Sequence, residues 1–249
     1  MRVATSPTEI GFELPADFDV DAYNGVFRVS RLIADPNDAT TPSKRNAWHG
    51  YSTAWTGLAV RLLSSLDYSE EFGESIARST APPHGERYRQ ERALYGSLSS
   101  ALSAVECAYM AVYCLASALA PDKLPLSTAK HLNQTPLDVA RAIRSWVPGD
   151  AFSERLLAFA SSPEMQSLAD FRNTLAHRGV LPRHHRLSNA VALPSTLPSN
   201  PKALAADFNY NADMSPNTTA AHAGWASKTC STVATEFYVF LRGRSPSDA

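Results

Sequence analysis

An arginine, an asparagine and a histidine stand at Arg172, Asn173 and His177 within the segment FRNTLAHR. Histidine moves protons near neutral pH. Arginine stabilises negative charge developing on phosphate. Asparagine, both donor and acceptor, can orient either one. The Arg-to-His spacing alone is not distinctive, because Arg78 with His84, and Arg178 with His184 and His185, also fit a spacing of four to six intervening residues. Those pairs cross Pro82 and Pro83, or Gly179 and Pro182, where a helix breaks.

Arg172 and His177 belong to one well-bounded helix. Ser162 is a good N-cap, Pro163 suits the first turn, Glu164 complements the positive dipole end, and Arg178 followed by Gly179 marks the stop. The spacing predicts a helix over 163–178. Met165, Leu168, Phe171 and Leu175 form its apolar stripe, with Gln166, Asp170, Asn173 and His177 opposite. Arg172 falls inside the stripe, and a guanidinium aimed at a core needs a carboxylate or phosphate to offset lost water. Glu91 and Glu106, on a long helix upstream, are the two candidate partners.

These residues resemble the HEPN family, named for a nucleotide-binding domain of higher eukaryotes and prokaryotes. Its members are small helical bundles with an Arg, four to six intervening residues and a His, commonly with Asn after the Arg. Arg172, Asn173 and His177 match that motif. The resemblance covers it and, less specifically, the helical run from about Glu86 to Arg178. It implies an RNA-directed protein, and many members are metal-independent endoribonucleases that use the ribose 2′-hydroxyl and leave a cyclic phosphate. By the same resemblance His177 is the general acid or base, Arg172 the phosphate stabiliser and Asn173 the orienting residue. Five residues of helix separate Arg172 from His177 by roughly 140° of rotation. Family members join two motif helices across a dimer cleft, which implies a homodimer here. A toxin or defence setting, with an antitoxin or regulatory partner, follows from family analogy alone.

A second observation points to a polyanion. Between Phe171 and Ala206 there is no Asp or Glu, while Arg172, Arg178, Arg183, Arg186, Lys202, His177, His184 and His185 all fall there. Arg178, Arg183, His184, His185 and Arg186 are the expected RNA-binding residues. No metal is expected, since His184 and His185 have no Cys or carboxylate at ligand spacing, and no cofactor motif is present.

The rest of the chain must position these groups. Residues 1–44, with acids, prolines and no sustained period, read as an irregular N-terminal arm with a short strand or helix around Val26 to Ile33. Trp48, Tyr51, Trp55, Leu58 and Leu62 mark an amphipathic helix ending near Leu66. From Glu86 to Leu119 a stripe through Leu94, Leu98, Leu102, Val105, Tyr109, Val112 and Ala116 predicts a spine helix. Helices are expected at Pro136 to Trp146 and Phe152 to Ala160, with Pro148, Gly149 and Asp150 between them. A last one is expected from Thr218 to Leu241. The expected fold is therefore all-α: a HEPN-like antiparallel bundle in one domain over 45–242, with an irregular loop at 180–216 and a C-terminal tail at 243–249.

Composition is that of a globular chain: 249 residues, 44% hydrophobic and 19% charged. A net charge of -1 excludes coating of nucleic acid by bulk charge. Cys107, Cys114 and Cys230 form no CxxC pair and fit a reducing compartment. The start has no apolar leader, and no stretch reads as a membrane span, so a cytoplasmic protein without a membrane partner is expected. GxSxG, P-loop and Rossmann patterns are absent. The competing reading is a non-catalytic helical module for dimerisation or interaction, in which Arg172 is structural.

Overall fold

Two long helices joined head to tail form the spine of the protein. The computed structural model describes residues 5–34, 37, 42–78, 84–126, 134–178 and 215–244. Among them are a hairpin, β1 (Thr5–Pro7) and β2 (Glu13–Pro15), and seven helices. These are α1 (Val20–Ile33), α2 (Pro42–Arg78), α3 (His84–Leu119), α4 (Pro136–Trp146), α5 (Ala151–Ala160), α6 (Pro163–Arg178) and α7 (Pro216–Arg242). The fold is an all-α helical bundle.

α2 and α3 run antiparallel and unusually close. The Ser65 hydroxyl donates to the Ser97 carbonyl at 3.0 Å, and Ser97 returns the bond to Ser65 at 3.1 Å. Gly57 lies against Cys107 and Gly50 against Cys114, seven residues down one helix and seven up the other. Glycine is required at the closer approach: a β-carbon on Gly50 would stand 2.7 Å from the Cys114 sulfur. Cys114 is thus buried and Cys107 half-buried, and burial pushes all three thiols up, Cys114 to about 12.

α2 extends well past its predicted end at Leu66. Its second half buries small polar residues, Ser65 and Ser75, alongside the large apolar ones Leu62 and Phe72. Ser75 bonds Glu86, and Gln90 donates to the Ser75 carbonyl, so hydrogen bonds to α3 supplement a sparse apolar stripe.

The irregular arm expected over 1–44, with a short strand or helix around Val26 to Ile33, is more regular than that in its described part. Its described part folds into the hairpin and the 14-residue helix α1. Leu14, Phe18, Tyr23, Val26 and Ile33 join the main core. The Tyr23 ring stacks on Trp55 at 4.7 Å, its hydroxyl donates to the Trp55 carbonyl, and the Trp55 indole donates to the Tyr23 carbonyl. Asp19 caps α1 through the Ala22 amide, receives a bond from Thr235 at 2.7 Å, and donates its own amide to Ser231. Those contacts lie on α7, which runs parallel to α1.

α3 also corrects an expectation. Gly85–Leu119 is long and apolar enough to cross a membrane, yet 72% of its most apolar window is buried inside the bundle. Packing on α2, α4, α6 and α7 accounts for that apolarity. α4 begins on a capping box between Thr135 and Asp138, and α5 on Asp150 after the Pro148–Gly149 turn. The Tyr109 hydroxyl donates to the Leu156 carbonyl and ties α5 to the spine.

Candidate functional site

α6 carries the motif, and its bounds, Pro163–Arg178, are those its sequence predicts. Ser162 accepts the Met165 amide at 3.2 Å, the expected N-cap. Met165, Leu168 and Phe171 are buried and Leu175 is half-buried. On the outer face the Gln166 amide donates to Asp170 at 2.8 Å. Local amphipathicity therefore fixes the rotation of the helix about its axis.

That rotation places Arg172 at the margin of the buried stripe rather than within it. Its side chain keeps 39% exposure, and its terminal nitrogen lies 3.6 Å from Glu106 Oε1 on α3. Its Nε is enclosed and has no hydrogen-bond partner among the described residues. Glu106 is the partner the geometry selects. Glu91 lies 15 residues up α3, about 22 Å away along the axis, and is half-buried with Oε1 enclosed. Burial raises the Glu106 carboxyl and the Arg172 guanidinium pulls it back down, with burial the larger effect. A half-exposed pair of this length contributes about 0–1 kcal/mol to stability.

Asn173, the next residue around the helix, is exposed. The backbone of His177 lies on the last turn of α6, but its side chain and that of Arg178 lie outside the described residues. So do Arg183, His184, His185 and Arg186, together with nearly all of the expected irregular loop, which meets the structure again at Ser215 and Pro216. Among the described residues, Arg172 and Glu106 are brought together, with Asn173 exposed beside Arg172 on α6. No group of three or more His, Cys, Asp or Glu side chains among them could hold a metal ion.

One histidine beside the motif helix was not legible in the sequence. His222 on α7 meets the Phe171 ring edge-on at 5.3 Å and 74°. Burial lowers its pKa, and Glu164, one element away on α6, opposes that. His222 stands 45 residues after His177 with no fixed spacing to it, so only the packing of α7 on α6 reveals the contact. Compared with protein-family models, with curated proteins and with solved structures, the chain matches none.

Proposed function

We propose that this chain is a HEPN-like, RNA-directed protein acting as a homodimeric, metal-independent endoribonuclease. In this reading the ribose 2′-hydroxyl oxygen attacks the adjacent phosphorus and gives up its proton. The bond from phosphorus to the 5′-oxygen breaks, and that oxygen takes a proton, leaving a cyclic phosphate and a 5′-hydroxyl. His177 carries a proton, Arg172 stabilises the charge gathering on phosphate, and Asn173 orients them. Arg178, Arg183, His184, His185 and Arg186 follow the strand away from the cut. A cytoplasmic toxin or defence effector, held by an antitoxin or regulatory protein, is the setting that family analogy adds.

The observation that carries this reading is the posture of Arg172. A guanidinium has five N–H donors, and a single carboxylate at 3.6 Å occupies few of them. The group is steadied from α3 yet open to solvent beside Asn173, which suits a bidentate phosphate contact.

The same ion pair favours a second reading. Arg172 and Glu106 join α3 to α6, the form a structural cross-link takes, and the protein would then be a non-catalytic helical dimerisation or interaction module.

One assay separates them. Purified protein is incubated with mixed RNA in EDTA, and wild type is compared with Arg172→Ala and His177→Ala. The endoribonuclease gives cyclic-phosphate ends that each substitution reduces by at least about 100-fold. Its specific activity falls on dilution below the dimer dissociation range. Absence of cleavage by wild type, with RNA binding unchanged in both variants, leaves the interaction module.

A further inference from the structure

The first turns of α3 display two tyrosines that the fold does not use. Tyr88 is 68% exposed and Tyr95 44%. Tyr23, Tyr109 and Tyr113, by contrast, are buried with each hydroxyl donating to a backbone carbonyl. Seven residues of helix put Tyr88 and Tyr95 on one stripe, about 10 Å apart.

Arg92 lies on the same stripe between them, 49% exposed even while paired with Glu71 of α2. Arg87 and Arg89 flank the tyrosines and are exposed. The nearby Glu86 carboxylate is engaged by Ser75, Arg78 and Arg89. Eleven residues from Tyr95, and eighteen from Tyr88, each close nearly whole turns of helix. Glu106, where Arg172 is seated, therefore shares their bearing about 16 Å beyond Tyr95, with buried Leu102 and half-buried Ser99 and Ser103 between.

We propose that the Tyr88, Arg92 and Tyr95 stripe is a stacking surface for single-stranded RNA that leads the strand toward Arg172. The proposal rests on the RNA-directed reading above. Tyrosine faces take unpaired bases whatever their identity, and the guanidinium between them meets the intervening phosphate. A duplex hides its base faces and cannot use such a surface, so the predicted partner is single-stranded.

The test is fluorescence anisotropy of the full chain with a labelled 12-nucleotide oligouridine, and with an RNA duplex of equal length. Because both rings are exposed, their substitution leaves the core intact, which circular dichroism checks. Tyr88→Ala and Tyr95→Ala are each expected to weaken single-strand binding about tenfold. Tyr88→Phe and Tyr95→Phe retain the ring and are expected to retain binding, and duplex binding is expected to be weaker than single-strand binding. Equal affinity of wild type and both alanine variants overturns the proposal, as does an oligouridine that wild type does not bind. Cleavage lost in Arg172→Ala, with binding unchanged in the tyrosine variants, removes the stripe and leaves the nuclease. Ring-dependent binding without any cleavage removes the nuclease and leaves the stripe.

Discussion

At Glu106 two opposing effects meet on one carboxylate, and their balance is measurable. Burial favours the neutral acid and Arg172 favours the carboxylate, with burial the stronger. The folded pKa therefore stands above the unfolded one. Its contribution to stability is fully present below the unfolded pKa and is lost as pH rises through the folded pKa. Subtracting the stability of Glu106→Gln from that of wild type should thus give a difference that falls as pH rises past the ordinary glutamate range. A carbon-13 titration of the Glu106 carboxyl should show a midpoint above that of an ordinary glutamate, and Arg172→Ala should move it further up. A midpoint that stays put in Arg172→Ala would mean that the two groups do not meet in solution. Arg172→Ala alone should cost no more than about 1 kcal/mol in denaturant unfolding, because the pair is half-exposed. A loss of RNA cleavage in that variant could then not be ascribed to unfolding.

At the scale of elements, the seam between α2 and α3 depends on absent side chains as much as on those present. Gly50→Ala gains helix propensity worth about 1 kcal/mol. It also drives a methyl to 2.7 Å from the buried Cys114 sulfur, and such overpacking costs roughly 1–3 kcal/mol. The net expectation is destabilisation in urea unfolding. Cys114→Ala removes the sulfur, so the double variant should be more stable than the two single changes predict by addition, a positive coupling. Strict additivity would place the seam elsewhere. Such a seam explains what could be read along the chain. α3, α4 and α6 were legible to within two residues, because each carries its own apolar period or its own caps, Thr135 for α4 and Ser162 for α6. The second half of α2 was not, since Ser65 and Ser75 stabilise it only in the presence of α3. Glu106 could be named only as one of two carboxylates, because the choice depends on where along α3 the motif helix crosses.

Over the whole molecule, the N-terminal segment is the clearest case of structure that local pattern conceals. Asp19 is an N-cap, but its second oxygen and its amide are bonded to Thr235 and Ser231, more than 200 residues away. Tyr23 is sandwiched by contacts to Trp55 on α2. These partners are remote in sequence, so residues 1–44 read as an arm although Leu14, Phe18, Tyr23, Val26 and Ile33 complete the core. A chain beginning at Pro42 would lose Leu14, Phe18, Tyr23, Val26 and Ile33 from that core. At about 1.5–3 kcal/mol for each large apolar side chain, the loss rivals the whole stability of a typical domain, about 5–15 kcal/mol. Such a truncation should retain helical circular dichroism, lose its cooperative thermal transition and bind a hydrophobic dye. Tyr23→Ala should reproduce part of this, at about 3–5 kcal/mol. Because α1 lies on α7, and α7 meets the motif helix through His222 and Phe171, loosening α1 should also speed amide exchange in α6. A truncated chain that melts with the same cooperativity and midpoint as the full one, with α6 equally protected, would make the segment an appendage after all.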